Sequence, residues 1–296
     1  MTIASCYLSP EGVVLGADST TTYISGETPH YFNNAQKVFE IGEDASLGLI
    51  TWGLGGFSQV SFRQLIAELS DQLEAVQPST VFEVANQWID LVWAQYTSSF
   101  GNEINECQRL AAKEPFQSGQ QVSNARTQDE ENIFRTLRNQ LVMGFCIGGH
   151  ILPKRASEAY AIILDPMSGK PSPSALGMGE WSFWGAPNLI QRLINGCDDN
   201  LKSAILNSGH WNGNENDLQM VLNDQVLAHP TTLPIRDAID FVHSCISSTI
   251  KSMKFSYLSQ ICGGPIEIAV ITSDRRFRWV RHKNFDAAIK EGNTHD

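Results

Sequence analysis

The chain has 296 residues, 42% of them hydrophobic, with seven Trp and fourteen Phe, which is apolar material enough for one large domain or two smaller ones; length does not decide between them. A formal net charge of -11 sets the average surface against phosphate backbones and anionic lipid, which disfavours nucleic acid and membrane partners, and no apolar stretch is long enough to span a bilayer. The six cysteines, Cys6, Cys107, Cys146, Cys197, Cys245 and Cys262, are scattered without a CxxC pair, and no histidines pair at ligand spacing, so reduced thiols in a cytoplasm are expected, with no disulfide, metal site or cofactor.

From Thr2 to Leu8 apolar and polar residues partly alternate, Ser9-Pro10-Glu11-Gly12 is turn chemistry, and Val13-Val14-Leu15 resumes an apolar run, which predicts a β-hairpin. The same start is too polar and too short of basic residues for a secretory signal. Lys37 to Ile41 alternates at period two, and Leu47 to Trp52 is a further strand ending in Gly53-Leu54-Gly55-Gly56. Phe62, Leu65, Ile66, Leu69, Leu73 and Val76 then recur at three and four, one face of a helix that Pro78 ends. Thr80 with Glu83 forms a capping box for a second helix carrying Phe82, Ala85, Ile89, Val92, Trp93 and Tyr96.

Residues from about Ser98 to Arg138 are polar with weak helical periodicity and read as an extension of, or excursion from, the second helix. Leu141 to Gly148 and Ala159 to Leu164 look like strands, and a short strand at Ser174 to Leu176 leads into Gly177-Met178-Gly179. Helices are expected from about Pro187 to Ile194, at Asn200 to Leu206 and Asp217 to Val226, the last two within a variable stretch from Cys197 to Thr232. Pro234 begins a clear helix with Ile235, Ala238, Ile239, Val242, Cys245 and Ile246 on its buried face, and Pro265 to Thr272 is a strand. The order of elements, with no repeat and no evident linker, predicts one α+β domain over 1-296, a four-layer αββα sandwich of two antiparallel sheets flanked by helices.

Thr2 stands directly behind the initiator methionine, where a small residue favours methionine removal. Its position is either an accident of translation or a reactive site. With Pro10-Glu11 at the turn tip, antiparallel pairing sets Leu8 opposite Val13, Ile3 opposite Asp18 and Thr2 opposite Ser19, which carries the Asp18 carboxylate to the first residues. Lys37 opens a later strand of the same sheet and brings an ammonium toward that point. A free α-amine has a pKa of about 7.7 to 8.0, against about 10.4 for lysine, so it serves as general base on its own residue's hydroxyl. A Lys37 ammonium would favour the neutral amine, Asp18 would hold that lysine, Thr2 Oγ1 would attack a carbonyl, and a backbone N–H near Gly53 would hold the oxyanion.

Thr2, the run Gly12-Val13-Val14-Leu15-Gly16-Ala17-Asp18-Ser19, then Lys37 to Ile41 and Thr51-Trp52-Gly53 resemble the catalytic half of proteasome β-type subunits, which are N-terminal nucleophile hydrolases. Pro234 to Met253 and Gly263-Gly264-Pro265-Ile266-Glu267 are similar to the family's late helix and the turn and strand after it. The resemblance implies a threonine hydrolase acting on peptide or amide bonds, with Thr2 as nucleophile and, through its amine, base. It makes Asp18 and Lys37 the supporting pair, and gives the oxyanion to Gly53, substrate backbone to Thr22, and the side-chain pocket to Thr51 and Gly55. It also implies peptide or protein substrates and self-association as a ring or related assembly, and leaves any ATP-dependent unfoldase partner unknown.

Three positions depart from the family pattern. Gly177-Met178-Gly179 stands for a Gly-Ser-Gly turn, and Ser259 and Cys262 fill the usual Asp and Ser positions ahead of Gly263. These departures and the polar insertion at about 98-138 point toward the bacterial proteasome-like branches. They also motivate an alternative, a catalytically weak or inactive subunit acting in assembly or binding.

Simpler readings stand beside these. Asp18 alone is a turn cap, and Lys37 alone a strand-edge charge; Gly53 to Gly56 lacks the Lys-Ser/Thr of a phosphate cradle. Cys6 reads as a core residue, His30 and His150 as surface histidines, and Trp181, Phe183 and Trp184 as core or subunit interface. The cationic cluster Arg275-Arg276-Phe277-Arg278 with Arg281-His282-Lys283 reads as a solvated edge strand or turn.

Overall fold

The computed structural model describes residues 2–25, 28–43, 45–116, 124–227, 232–256 and 261–283. The chain opens with β1 (Ile3–Ser9), β2 (Gly12–Ala17), β3 (Thr21–Ser25), β4 (Thr28–Phe32), β5 (Val38–Glu40) and β6 (Leu47–Gly53). Then come α1 (Phe62–Ala75), α2 (Val81–Ala111), α3 (Gln128–Leu141), β7 (Met143–Gly149), β8 (Glu158–Leu164), β9 (Ser174–Ala175) and β10 (Trp181–Gly185). α4 (Asn188–Asn195), α5 (Asp199–Leu206), α6 (Glu215–Asn223) and α7 (Ile235–Lys254) precede β11 (Glu267–Thr272) and β12 (Arg275–Arg281). Contacts divide these elements between two compact units.

The first unit gathers the chain through Val38, Gly177–Val270, and the chain from Arg278 onward. Its sheet has the order β10-β1-β2-β11-β12, with β1 antiparallel to both β2 and β10. The hairpin register is the predicted one, Leu8 opposite Val13 and Ala4 opposite Ala17, because the turn residues set the pairing, while both faces of these strands are buried. α7 lies on β1 and β2, and its buried residues Ala238, Val242, Cys245 and Ile246 recur at the three-and-four spacing that makes one apolar stripe against Ile3, Tyr7 and Val14. Pro234 occupies the N-cap, where its missing N–H is no loss. The Tyr7 ring stacks on Trp181 at 4.0 Å, and Trp181 packs against Phe241 of α7 at 4.3 Å, so Trp181, with Phe183, packs on the core of this unit. β3 and β4 form a separate two-stranded ribbon.

The second unit comprises Phe39–Leu176 with the hairpin tip Ile271–Phe277. Its sheet runs β5-β6-β7-β8-β9, antiparallel through β6, β7, β8 and β9. α2 lies on β7 and β8, with α1 and α3 against α2, and Phe62, Leu65, Leu69, Trp88, Val92 and Tyr96 bury their stripes with Phe145 and Ile147. Ser61 caps α1 by accepting from Gln64 N, and Thr80 caps α2 by accepting from Glu83 N; the Glu83 carboxylate turns to the Ser79 N–H and hydroxyl.

The fold is therefore α+β, with two antiparallel sheets each flanked by helices. The polar stretch from Ser98 to Arg138 extends the second helix as far as Ala111, and beyond it a separate helix, α3, begins at Gln128. α2 runs on to Ala111 through a break at Phe100 (φ -127, ψ 18), burying Ile104, Cys107 and Leu110, and α3 follows behind a Thr127–Glu130 capping box. One apolar residue per turn, amid Gln, Asn and Glu, is too thin a stripe to stand out in the sequence. β10 and the β3–β4 ribbon have no predicted counterpart.

Among the described residues no helix is long and apolar enough to cross a membrane, and no group of three or more His, Cys, Asp or Glu side chains is placed to hold a metal ion. All six cysteines are free and buried.

Candidate active site

The β1–β2 register carries Asp18 to the head of β1. Asp18 N donates to Ile3 O at 3.1 Å, and Ile3 N donates back at 3.1 Å to the side-chain oxygen Oδ1 of Asp18. The other oxygen, Oδ2, accepts from Thr20 N at 3.2 Å and Gly263 N at 2.9 Å. A carboxylate at 0% exposure is tolerable only with such partners, and its fourth is a cation: Lys37 Nζ donates to Oδ1 at 2.6 Å. The same ammonium donates to Thr20 O at 2.5 Å. An ammonium has three N–H groups, and the third has no partner among the described residues. Burial pushes Lys37 below the usual lysine range, against the opposing pull of Asp18.

Lys37 is delivered by a loop pinned at both ends. Ala35 N donates to Ser19 O at 2.9 Å, and the Thr20 hydroxyl donates to Asn33 Oδ1 at 2.8 Å. On the other side Lys283 Nζ donates to Ala35 O at 2.6 Å and Asn34 O at 3.0 Å, and lies 3.5 Å from Oε2 of the fully buried Glu267. Lys37 N donates to that same Oε2 at 3.4 Å, and His282 Nδ1 stands 3.0 Å from Oε1, off the line of a hydrogen bond. Two buried ion pairs thus meet on one loop.

Thr2 is 4% exposed and does not hang in solvent. It is held from above by β10, where Gly185 pairs with Ile3; a Cβ on Gly185 would stand 1.8 Å from Thr2 O, and its φ of +86 also favours glycine. The β1–β2 pairing brings Asp18 to Ile3, the neighbour of Thr2, and the loop ahead of β5 brings Lys37 to Asp18; this corrects the expectation that Lys37 opens a strand of the same sheet, because β5 belongs to the β5-β6-β7-β8-β9 sheet.

Met178 is half exposed beside Gly179, whose N–H donates to Leu8 O, so it sits at the end of β1 remote from Thr2; the residue beside Thr2 is Gly185. This corrects the sequence reading, because β10 runs antiparallel to β1 and carries the Gly-Met-Gly turn away from the site. Cys262 does belong to the cluster: it is fully buried, and burial, then Asp18, pushes its thiol up to about 12. Thr22 lies on β3 with its hydroxyl buried and unpartnered among the described residues. In the second unit, Thr51 Oγ1 donates to Gly144 O at 3.2 Å, Gly53 ends β6 at φ +81, and Gly55 is exposed in the loop after it. Ser259 lies outside the described residues.

Two further corrections concern burial. β12 is the expected edge strand, with Arg275, Arg276 and Arg278 exposed, but Lys283 is buried on Glu267. His150 is not a surface histidine, being 2% exposed. Glu267 was legible in principle, as a lone carboxylate inside the apolar strand Ile266 to Ile271, a pattern that demands a buried cation.

No protein-family model matches the chain. No curated protein matches it either. Among solved structures it is similar to a mutant of Anbu from Hyphomicrobium sp. strain MC1, at TM-score 0.48 and 10% identity, over 100% of this chain and 98% of that one. Anbu from the same strain is similar at TM-score 0.47 and 10% identity, over 99% of this chain and 97% of that one.

Proposed function

We propose that the protein is a proteasome-like threonine hydrolase that cleaves peptide or amide bonds with Thr2, exposed by removal of Met1. The observation that carries this reading is the buried Asp18–Lys37 pair tied through Asp18 Oδ1 to the backbone of Ile3. Removal of Met1 gives Thr2 a free amine of pKa about 7.7 to 8.0, and the Lys37 charge favours its neutral form. The amine takes the hydroxyl proton as Oγ1 bonds to the substrate carbonyl carbon, and the carbonyl oxygen becomes an oxyanion. Collapse breaks the C–N bond, the protonated amine returns the proton to the departing nitrogen, and an ester on Thr2 remains. Water, deprotonated by the same amine, hydrolyses the ester and restores the hydroxyl.

On the sequence pattern, the reading gives the oxyanion to the Gly53 N–H and substrate contacts to Thr22, Thr51 and Gly55. It takes the chain as one αββα domain of a cytoplasmic assembly of identical subunits. A second reading, a non-catalytic assembly subunit, is favoured by Cys262: a thiol held neutral beside Asp18 and Lys37 is a weaker hydrogen-bonding group than the family's serine.

Mass spectrometry of the purified native chain, joined to labelling with a β-lactone, tests the proposal. The expected result is a chain beginning at Thr2 that is labelled on Thr2, with labelling lost in Lys37→Ala. A retained or acetylated Met1 blocks the amine and ends this mechanism.

A further inference from the structure

Four charged side chains lie buried and linked within the first unit: Asp18 to Lys37, Lys37 to Glu267 through its main-chain N–H, and Glu267 to Lys283. The reaction proposed for Thr2 calls on Asp18 and Lys37 and leaves Glu267 and Lys283 without a task. Stability does not supply one, since the cost of taking an ion pair out of water roughly cancels its attraction, and apolar residues of similar volume serve a core as well or better. Glu267 is moreover the only charged residue of β11, whose following residues Ile268, Ala269, Val270 and Ile271 are buried and apolar.

What the pair touches is the loop that carries Lys37. Oε2 of Glu267 accepts from Lys37 N and lies beside Lys283 Nζ, which itself donates to Ala35 O and Asn34 O, so the two side chains grip the main chain at Asn34, Ala35 and Lys37. The residues just ahead of Glu267 hold the other partner. Gly263 N donates to Asp18 Oδ2, Ser19 N donates to Gly263 O at 3.0 Å, and a Cβ on Gly264 would stand 2.3 Å from Asn33 O. Asp18 and the Lys37 loop are thus both seated on one segment, residues 263–267. Charge follows the same geometry. Lys37 faces Asp18, Cys262 and Glu267, and Glu267 faces Lys37, Lys283 and His282. Burial drives Lys37 toward the neutral amine, and the carboxylates of Asp18 and Glu267 oppose it.

We propose, resting on the threonine-hydrolase reading, that Glu267 and Lys283 are positioning residues for the Thr2 reaction: they clamp the Lys37 main chain so that its side chain reaches Asp18, and Glu267 is the second negative charge beside which Lys37 stays an ammonium. Both act through Lys37. The ammonium is what favours the neutral form of the Thr2 amine, and Lys283 in turn keeps Glu267 ionised inside the protein.

The test compares the full-length wild type with Glu267→Gln and with the double variant Glu267→Gln/Lys283→Ala, in which neither member of the pair is left as an orphaned charge. Two quantities are read on each protein. One is the titration of Lys37, followed through the NMR signal of its labelled Cε atom and assigned by the loss of that signal in Lys37→Met. The other is the pH profile of Thr2 labelling by a β-lactone, resolved into a binding constant and a maximal rate. Removing the Glu267 charge leaves burial less opposed, so the Lys37 midpoint is expected to fall by on the order of one pH unit, and the alkaline decline of labelling to move down with it. The maximal rate is expected to drop about tenfold at an unchanged binding constant, because a misplaced group slows the step and not the encounter. In the double variant the thermal melt is expected to recover in part, while the Lys37 midpoint and the labelling profile stay displaced. A midpoint unmoved in both variants, or a labelling profile that recovers together with the melt, overturns the proposal and leaves the pair a purely structural role. A wild-type chain that takes no label ends the hydrolase reading itself, whereas a labelled wild type with an unmoved Lys37 midpoint in the variants ends only this assignment.

Discussion

Lys37 and Ile3, 34 positions apart in sequence, donate to one and the same oxygen, Asp18 Oδ1, at 2.6 and 3.1 Å. The side-chain ammonium and the first peptide link of β1 are therefore positioned by a single carboxylate. A disturbance of either is transmitted to the other, which is the basis of the first prediction.

Lys37→Met leaves Asp18 fully buried with three backbone N–H donors and no counter-ion. Removing one partner of a buried pair costs about 3–5 kcal/mol, so the urea midpoint is expected to fall markedly. Labelling of Thr2 by a β-lactone is expected to slow by on the order of 10²–10⁴. A variant that melts lower yet labels at the wild-type rate would leave the pair a purely structural role.

Gly185→Ala puts a methyl group 1.8 Å from Thr2 O at a residue with φ +86. The strain of roughly 1–3 kcal/mol has one easy relief, displacement of Thr2 from the head of β1. The expected outcome is a modest loss in thermal melting and a disproportionate loss of Thr2 labelling, the two read on the same preparation.

Lys283→Ala removes the cation from buried Glu267 and frees the Asn34 and Ala35 carbonyls that hold the Lys37 loop. Faster amide hydrogen exchange is expected at Ala35 and Lys37, with about 3–5 kcal/mol of lost stability. Adding Glu267→Gln removes the orphaned charge, so the double variant is expected to recover part of that loss. Strict additivity of the two changes would show that the pair is not coupled.

His150 supplies a pH dependence. Burial holds its folded-state pKa below the unfolded value of about 6.5, so the unfolded chain takes up the proton first as pH falls. Stability is expected to decline from about pH 6.5 downward until the folded-state pKa is reached. The difference between wild type and His150→Phe, followed by urea melts, isolates this slope from that of the carboxylates.

The parts that could be read directly were those set by neighbours in the chain. The β1–β2 register followed from the Ser9–Gly12 turn, and so placed Asp18 beside Ile3. The α7 stripe followed from spacing. Each rests on interactions within tens of residues, where turn chemistry and side-chain period leave few alternatives.

What escaped the sequence was the burial of charge and the pairing of remote segments. Lys283 looked like a solvated cation because its partners, Ala35 and Asn34, lie 248 and 249 positions away. That Gly185, and not Met178, lies beside Thr2 was hidden because nothing local reveals that Trp181–Gly185 pairs antiparallel with β1. His150 looked like a surface residue for the same reason. Local pattern specifies which elements form and which face each turns inward; which side chains meet, and which charges lose their water, depends on contacts that exist only once distant elements have packed.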